Sequence, residues 1–389
     1  MTEGISPGSA GLPERLIQLV PRFRPDADGL GEFALCFGDA LWRKCGVRSD
    51  FVVWSPPRPE PELAVPSGEV LPHSYYRSDT RQRKAFGQRL REAAARSQKP
   101  VALLHYTSYA YSQEGIAWWL PGVLREFIGA GGRLVCFFHE LYALGKFPNK
   151  TWFSSGLQRH IFREVLALSS AAISSNANYM EQMARENRAG RPLALAGICS
   201  NVGEAMTLPP ASGRRRRLVV FGLNASRRRL YEQHLPVLLR LVAHLGIEEV
   251  ADIGSLGEWP RLLEEVREQF GKSGVRFNVC GSLPAEEVGT LLAGSLAGAV
   301  NYSSGMHLKS GIVGAYQAYG LPVILFHPEG DKGPAVDDSV CLSSQTVLNR
   351  KKGLEELLND AGRAGFEYYR KFRSYDAVLE RVLPWLRAH

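Results

Sequence analysis

The strongest constraint in this chain is a rhythm: short runs of consecutive apolar residues alternate with longer stretches of helical period. In the first half the apolar runs fall at 16–20, 51–54, 101–104, 134–138, 171–174 and 193–198, and the helical stretches at 31–45, 79–97, 118–128, 155–168 and 178–186. In the second half runs at 217–221, 249–253, 275–279, 298–302 and 322–326 alternate with helical stretches at 227–244, 258–270, 285–292 and 310–319. A strand that is apolar at nearly every position must be covered on both faces, which a parallel sheet flanked by helices achieves. The expected fold is therefore α/β, with doubly wound Rossmann-like domains. At 389 residues the chain is too long for one ordinary core, so two such domains are expected. Residues 1–13 read as a flexible tail and 14–208 as the first domain. The second domain is expected over 209–365, opening on the Pro/Gly/Ser linker 209–213, and a C-terminal helix over 366–389 is expected to return to the first. Residues 56–72 read as a Pro-rich surface loop.

Composition removes several classes. Hydrophobic residues make up 45% and charged residues 22%, as in soluble globular chains. The longest run of apolar and small residues, 291–300, is far short of the roughly 18 residues that span a bilayer. The first twenty residues lack the continuous apolar stretch of a secretory signal, so the expected compartment is the cytoplasm. Six scattered cysteines without a CxxC pair support neither a zinc ribbon nor a redox motif, and no metal site is expected.

Four segments carry chemistry. The loop Pro25–Gly31 leaves the first strand and enters a helix, and Gly29 and Gly31 would let backbone approach a ligand closely. A plain flexible connection reads equally well. After Phe221-Gly222, Ser226 reads as an N-cap and Arg227, Arg228 and Arg229 as first-turn cations opposed to the helix dipole. A bound anion would offset that repulsion, whereas solvated surface charge is the alternative. The stretch Ser303–Gly311 places Lys309, Ser310 and Gly311 at a helix start, a possible diphosphate cradle without P-loop spacing, or else an ordinary capped helix. His139 and Glu140 follow a buried strand, where a histidine suits acid–base work or a structural hydrogen bond. The net charge, 47 − 39 = +8, is concentrated in Arg214–Arg217 and Arg227–Arg229. No nucleic-acid-binding signature accompanies these runs, so nucleic acid is not an expected partner. Arg214–Arg217 read as a solvated linker face or as a weak peripheral contact with acidic lipid at the inner membrane face.

Taken in order, these segments resemble the group 1 glycosyltransferases of the GT-B fold, over about residues 14 to 345. The strand 16–20 with Gly29 and Gly31 is similar to their opening strand and glycine loop, and Phe138-His139-Glu140 to their strand ending in His-Asp. Cys199-Ser-Asn201-Val-Gly203, Phe221-Gly222 with Arg227 and Arg228, and Ile253-Gly254-Ser255 resemble further family elements. Gly281-Ser282-Leu283 lies in a segment similar to the one they use around the base, and Ala318-Tyr-Gly320-Leu-Pro322-Val-Ile324 resembles their Ala-x-Gly-x-Pro-Val-Ile element. The resemblance implies two domains facing across a cleft. It also implies retaining, metal-independent transfer of a sugar from a nucleotide diphosphate sugar, the co-substrate, to an acceptor hydroxyl, with no further cofactor. Carried over, Gly29, Gly31, Arg227, Arg228, Lys309, Ser310 and Gly311 would hold the donor phosphates. Gly281, Ser282 and Leu283 would meet the base, His307 the donor sugar, and His139 would act in catalysis at a glycan, lipid-linked or small-molecule acceptor. The chain departs from the family where two glutamates are expected eight positions apart: His307 and Ala315 stand there. An inactive binding or scaffold subunit and a nucleotide-sugar epimerase are the alternatives.

Overall fold

Every strand pairing among the described residues is parallel. The computed structural model describes residues 11–23, 29–55, 67–71, 79–112, 114–143, 150–257, 259–302, 307–327 and 340–387. The chain divides into unit 1, Met1–Gly197 with Tyr375–His389, and unit 2, Ile198–Ser374.

Unit 1 contains β1 (Arg15–Val20), α1 (Gly29–Cys45), β2 (Arg48–Val53), β3 (Gly68–Val70), α2 (Asp79–Ala94), β4 (Val101–Tyr106) and α3 (Leu120–Gly129). It continues through β5 (Arg133–Phe138), α4 (Lys150–Leu168), β6 (Ala171–Ser174), α5 (Ala177–Glu186) and β7 (Leu193–Leu195). These strands form one sheet in the order β3-β2-β1-β4-β5-β6-β7. The apolar run at 101–104 is buried as expected, and so are His105 and Tyr106, which complete β4. Each large apolar side chain moved out of water there stabilises the fold by about 1.5–3 kcal/mol. The short β3 lies inside the stretch expected to be loop; its Gly-Glu-Val has no apolar run and is held by pairing with β2 and by ion pairs of Glu69 with Arg96 and Arg15.

Unit 2 contains β8 (Arg215–Phe221), α6 (Asn224–Leu245), β9 (Glu249–Ile253), α7 (Pro260–Lys272), β10 (Arg276–Gly281), α8 (Ala285–Ala293) and β11 (Ser295–Asn301). A 3₁₀ turn, His307–Lys309, then leads into α9 (Gly311–Ala318), β12 (Val323–Phe326), β13 (Leu342–Ser343), α10 (Ser344–Asn349) and α11 (Leu354–Phe372). Its sheet runs β10-β9-β8-β11-β12-β13. The last helix, α12 (Tyr375–Leu386), packs on α1 of unit 1, where Lys44 bridges Asp376 and Glu380 and Arg133 bonds the Trp385 carbonyl at 2.7 Å.

The unit boundaries lie at Gly197/Ile198 and Ser374/Tyr375 rather than at 208/209 and 365/366. The segment before the proline linker is tied into unit 2: Ser200 N donates to the Tyr369 hydroxyl at 3.1 Å, and the Tyr319 hydroxyl donates to the Val202 carbonyl at 3.1 Å. At the other end α11 runs unbroken past 365, and Arg373 is anchored among unit 2 carbonyls.

Candidate functional site

In an open parallel sheet, ligands sit beyond the carboxyl ends of the strands where the strand order reverses. That reversal falls between β1 and β4 in unit 1, and between β8 and β11 in unit 2.

In unit 1 the reversal is crossed by a line of polar side chains. Ser49 of β2, Gln18 of β1 and His105 of β4 are fully buried, and His139, just beyond β5, is 8% exposed. Gln18 Nε2 donates to Ser49 Oγ at 2.8 Å, Gln18 Oε1 lies 2.9 Å from His105 Nε2, and His105 Nδ1 lies 3.2 Å from His139 Nε2. Burial pushes the His105 imidazole down to about 3, so it is neutral. The His139 ring stacks on Phe137 at 4.5 Å and takes the edge of Phe33 at 5.0 Å. Its backbone N–H donates to the Tyr106 carbonyl, and its carbonyl accepts from Ser175. Sequence reasoning found His139 and missed Gln18, Ser49 and His105. The available signal was a glutamine, a serine and a histidine inside or beside apolar strand runs.

Most of the loop expected to approach a ligand, residues 25–28, lies outside the described residues. Gly31 is required by packing, because a Cβ there would sit 2.1 Å from the Arg22 carbonyl oxygen. Gly29 is exposed with open space around it.

In unit 2 the expected phosphate contacts divide. Arg227 is 2% exposed and points inward, which corrects its expected place on a donor phosphate. Its Nη1 pairs with Asp252, Nε donates to the Gly222 carbonyl at 3.0 Å, Nη2 donates to the Ser255 carbonyl, and the guanidinium lies over Trp259. Tyr231 donates to the other Asp252 oxygen at 2.8 Å. Burial still pushes the Asp252 carboxyl up, against the pull of Arg227 and Tyr231. Gly254 admits this arrangement: at φ 144° its Cβ position would lie 2.3 Å from the Gly222 carbonyl oxygen and 2.9 Å from Arg227 Nε. Helix α6 begins at Asn224 after an extended Leu223, so Ser226 is not its cap and the three arginines follow the first turn. Arg228 is exposed and pairs with Glu232 at 2.7 Å.

The expected donor edge beyond β11 is different. Ser310 caps α9, accepting from Val313 N at 3.3 Å; Gly311 opens the helix, and Lys309 is half-buried in the preceding turn. Beneath that helix start lies Arg373, 1% exposed. Its Nε donates to the Ile198 carbonyl at 2.9 Å, Nη1 to Gln317 Oε1 at 3.1 Å, and Nη2 to the Ser310 carbonyl. Among the described residues no carboxylate pairs with it. Burial lowers the guanidinium's affinity for its proton. His307 is buried with Nδ1 lacking a hydrogen-bond partner, and burial, with Arg373 and His327 nearby, pushes its imidazole down to about 4. Asn301 at the end of β11 donates to Gln233 at 3.2 Å, while its buried Oδ1 has no partner. Next to Gln233, His234 packs on Phe326 at 5.6 Å with Nε2 unpartnered, and burial and His327 lower its pKa. Residues 303–306 lie outside the described residues.

Gly281 ends β10, with its carbonyl accepting from Gly254 N at 2.9 Å; Ser282 is exposed and Leu283 half-buried. These three lie at the far side of the sheet from the β8/β11 reversal. An open cavity of about 560 Å³ lies at the opposite, amino-terminal edge, lined by Pro209, Arg214, Glu286, Gly294 and Tyr319. It contains none of the expected site residues.

The basic run at the start of β8 is largely occupied. Arg214 bonds the Gly320 carbonyl, Arg216 the Leu245 carbonyl at the end of α6, and Arg217 pairs with Glu249 at 3.2 Å, while Arg215 and Arg216 are both exposed. Among the described residues no helix is long and apolar enough to cross a membrane, and no group of three or more His, Cys, Asp or Glu is placed to hold a metal ion.

No protein-family model matches the chain, and no curated protein sequence matches it. Solved structures do. Sucrose-phosphate synthase from Thermosynechococcus elongatus aligns over 96% of this chain and 98% of its own, at 15% identity and a TM-score of 0.65. HepE of Anabaena, solved with UDP-glucose, aligns over 96% and 99%, at 12% identity and a TM-score of 0.62. A Listeria monocytogenes protein assigned as a UDP-N-acetylglucosamine 2-epimerase aligns over 91% and 93%, at 12% identity and a TM-score of 0.55. At these identities the likeness is one of fold: two parallel-sheet α/β units of the kind that GT-B glycosyltransferases carry.

Proposed function

We propose that this chain is a glycosyltransferase, with unit 2 taking a nucleotide diphosphate sugar and unit 1 directing His139 at the acceptor hydroxyl. The observation that carries the reading is Arg373, a buried guanidinium with only neutral partners, lying under the start of α9. A buried charge is ordinarily paired, and an unpaired one costs several kcal/mol. Here the uncompensated positive charge adds to the positive end of the helix dipole, and both favour an anion at that edge. Beside it His307, Asn301 and His234 hold buried nitrogen or oxygen atoms without partners, on neutral groups. Sugar hydroxyls, each both donor and acceptor, are suited to such atoms. An anion joined to a polyhydroxylated group describes a nucleotide sugar. HepE, of the same fold, was solved with UDP-glucose, which favours a uridine donor here.

In this reading the acceptor oxygen bonds the anomeric carbon as that carbon's bond to the diphosphate breaks. Lys309, the start of α9 and the Arg373 charge stabilise the departing diphosphate, a purely electrostatic contribution. His139 takes or orients the hydroxyl proton. Retention of configuration and independence of metal are carried by the family resemblance alone. The second reading, a nucleotide-sugar epimerase, is favoured by the epimerase fold neighbour and by the absence of a glutamate at positions 307 and 315. It uses the same donor edge and needs no acceptor.

Calorimetric titration of the full chain with UDP, GDP and ADP tests the donor edge, and lack of binding by all three rejects both enzyme readings. A screen of nucleotide sugars with and without acceptors then separates them. Acceptor-dependent nucleotide release supports transfer, and interconversion of the sugar without acceptor supports epimerisation. In a transferase, His139→Ala lowers kcat by at least about 100-fold while leaving donor affinity within a few-fold.

A further inference from the structure

We infer that Gln18 and His105 are positioning residues for His139: they hold its imidazole with a proton on Nε2, which in the neutral form of the ring leaves the lone pair on Nδ1. The inference deepens the acceptor-side reading of His139 and rests on it for its catalytic meaning, although not for its geometry.

The line Ser49–Gln18–His105–His139 lies across four adjacent strands, β2, β1, β4 and the end of β5, at the reversal in strand order. Buried polar side chains in the middle of an apolar sheet are costly unless every one is satisfied. Here each satisfies the next. Packing alone gives no reason for Gln18 and His105, whose strand neighbours are the buried Ile17, Leu19, Leu104 and Tyr106.

The direction of the line follows atom by atom. The Gln18 amide nitrogen donates to Ser49, which turns its oxygen toward His105. An amide oxygen only accepts, so His105 Nε2 carries the proton. Burial keeps His105 neutral, its pKa held down at about 3, so His105 Nδ1 bears a lone pair. The facing nitrogen, His139 Nε2, must then donate. The orientation of one amide thus decides the tautomer of a ring two groups away. Two features hold the ends in place. A Cβ at Gly38 of α1 would lie 2.9 Å from both Gln18 Nε2 and Ser49 Oγ, so α1 closes directly over the amide. Phe33 and Phe137 fix the plane of the His139 ring. A neutral imidazole in the second place orients His139 without adding a charge to the buried edge.

The test is long-range ¹H–¹⁵N correlation NMR on the full-length, histidine-labelled chain at neutral pH, with His139 assigned by the signals lost in His139→Asn. The expected result is Nε2–H on both His105 and His139, and Nδ1–H on His139 in the unaltered protein overturns the inference without any variant having to fold. His105→Asn, whose amide oxygen can take the place of Nδ1, keeps the His139 tautomer. His105→Phe, which offers no acceptor, turns it into a mixture, and an unchanged tautomer there also overturns the inference. In turnover assays His105→Phe lowers kcat about 10-fold to 100-fold with donor KM within about twofold, and His105→Asn restores much of the loss. Because the tautomer is read without substrate, the expected spectra in a protein that transfers no sugar would uphold the positioning and reject the transferase reading.

Discussion

At the carboxyl edge of the seven-stranded sheet four polar groups satisfy one another in a line, while at the six-stranded sheet buried polar atoms lack hydrogen-bond partners and a buried guanidinium lacks a counter-charge. A closed network has nothing to gain from a ligand except through its last member, so its use is to orient that member. An open one gains a hydrogen bond or a counter-charge for each group a ligand meets. The same contrast recurs between two arginines of unit 2. Arg227 and Arg373 are both almost wholly buried, but Arg227 faces a carboxylate and closes the corner between β8, β9 and α6, whereas Arg373 faces carbonyls and an amide. A satisfied buried charge is architecture, and an unsatisfied one is a candidate for function.

The largest expected effect breaks the arginine comparison directly. Arg227→Met leaves Asp252 buried without its cation and is expected to cost about 3–5 kcal/mol of folding stability. Arg373→Met strands no carboxylate, so its cost is expected at about 1–3 kcal/mol, the range for carbonyls that lose a donor. Its main consequence is weaker UDP binding. Urea unfolding of both variants, with UDP titration of each that folds, checks the pair. Equal destabilisation, or UDP affinity unchanged in Arg373→Met, removes the distinction.

Next in size are substitutions that separate phosphate from sugar at the open edge. Lys309→Ala is expected to weaken binding of UDP and of the UDP-sugar alike, by about 1.5–3 kcal/mol for a hydrogen bond to a charged group. Asn301→Ala and His307→Ala are expected to leave UDP affinity unchanged and to weaken only the sugar nucleotide, each by about 0.5–1.5 kcal/mol. Calorimetry with both ligands reads the difference. Loss of UDP affinity in His307→Ala would place that side chain on the phosphates instead.

A smaller effect is confined to acid and sharpens the contrast between satisfied and unsatisfied charge. Against the cost of burial, Arg217, Asn278 and Arg276 hold the Glu249 carboxyl below the ordinary glutamate range, and Arg159 and Arg163 do the same for Glu186 in unit 1. A depressed carboxylate contributes stability above its unfolded pKa of about 4.3 and loses it as the pH falls through the folded value. Asp252, whose carboxyl is raised, titrates with the opposite sign and partly offsets the loss. Urea midpoints are therefore expected to fall between about pH 5 and pH 3, and Glu249→Gln to flatten that limb. An acid limb as steep in Glu249→Gln as in the parent excludes Glu249 as a source.

The strands were legible because burial on both faces writes itself as an apolar run, as in Val101–Leu104 of β4. The strand β3 was not, because three residues paired to one neighbour need no such run. The positions of His139 just past β5 and of Ser310 before α9 were legible because such places are set locally. Arg227 was misread because its partner, Asp252, lies 25 positions on, and only the folded corner shows the guanidinium turning inward. Gln18, His105 and Arg373 were missed for the same reason: their meaning lies in partners 31, 34 and 63 residues away. Local pattern shows where an element ends, whereas only the folded chain shows whom a buried polar group meets.

The smallest expected effect concerns the charges that remain exposed. Arg228 was expected on the donor phosphates from its place beside Gly222, and Arg215 belongs to the run expected at acidic lipid. In the folded chain the Arg228 side chain is 52% exposed and pairs with Glu232 one turn on, an arrangement worth about 0.3–0.5 kcal/mol. Arg215 is exposed at the start of β8, and the other arginines of its run are held by Gly320, Leu245 and Glu249. Each exposed arginine contributes about 1 kcal/mol at an anionic leaflet, so the loss of Arg215 alone changes any such attraction little. Arg228→Ala is accordingly expected to change stability by less than about 0.5 kcal/mol and UDP affinity not at all. Arg215→Ser is expected to leave sedimentation with phosphatidylserine vesicles unchanged at low and at high salt. A drop of about tenfold in UDP affinity for Arg228→Ala, equal to about 1.4 kcal/mol, would return that residue to the phosphates and extend the open edge of unit 2 from β11 to the start of α6.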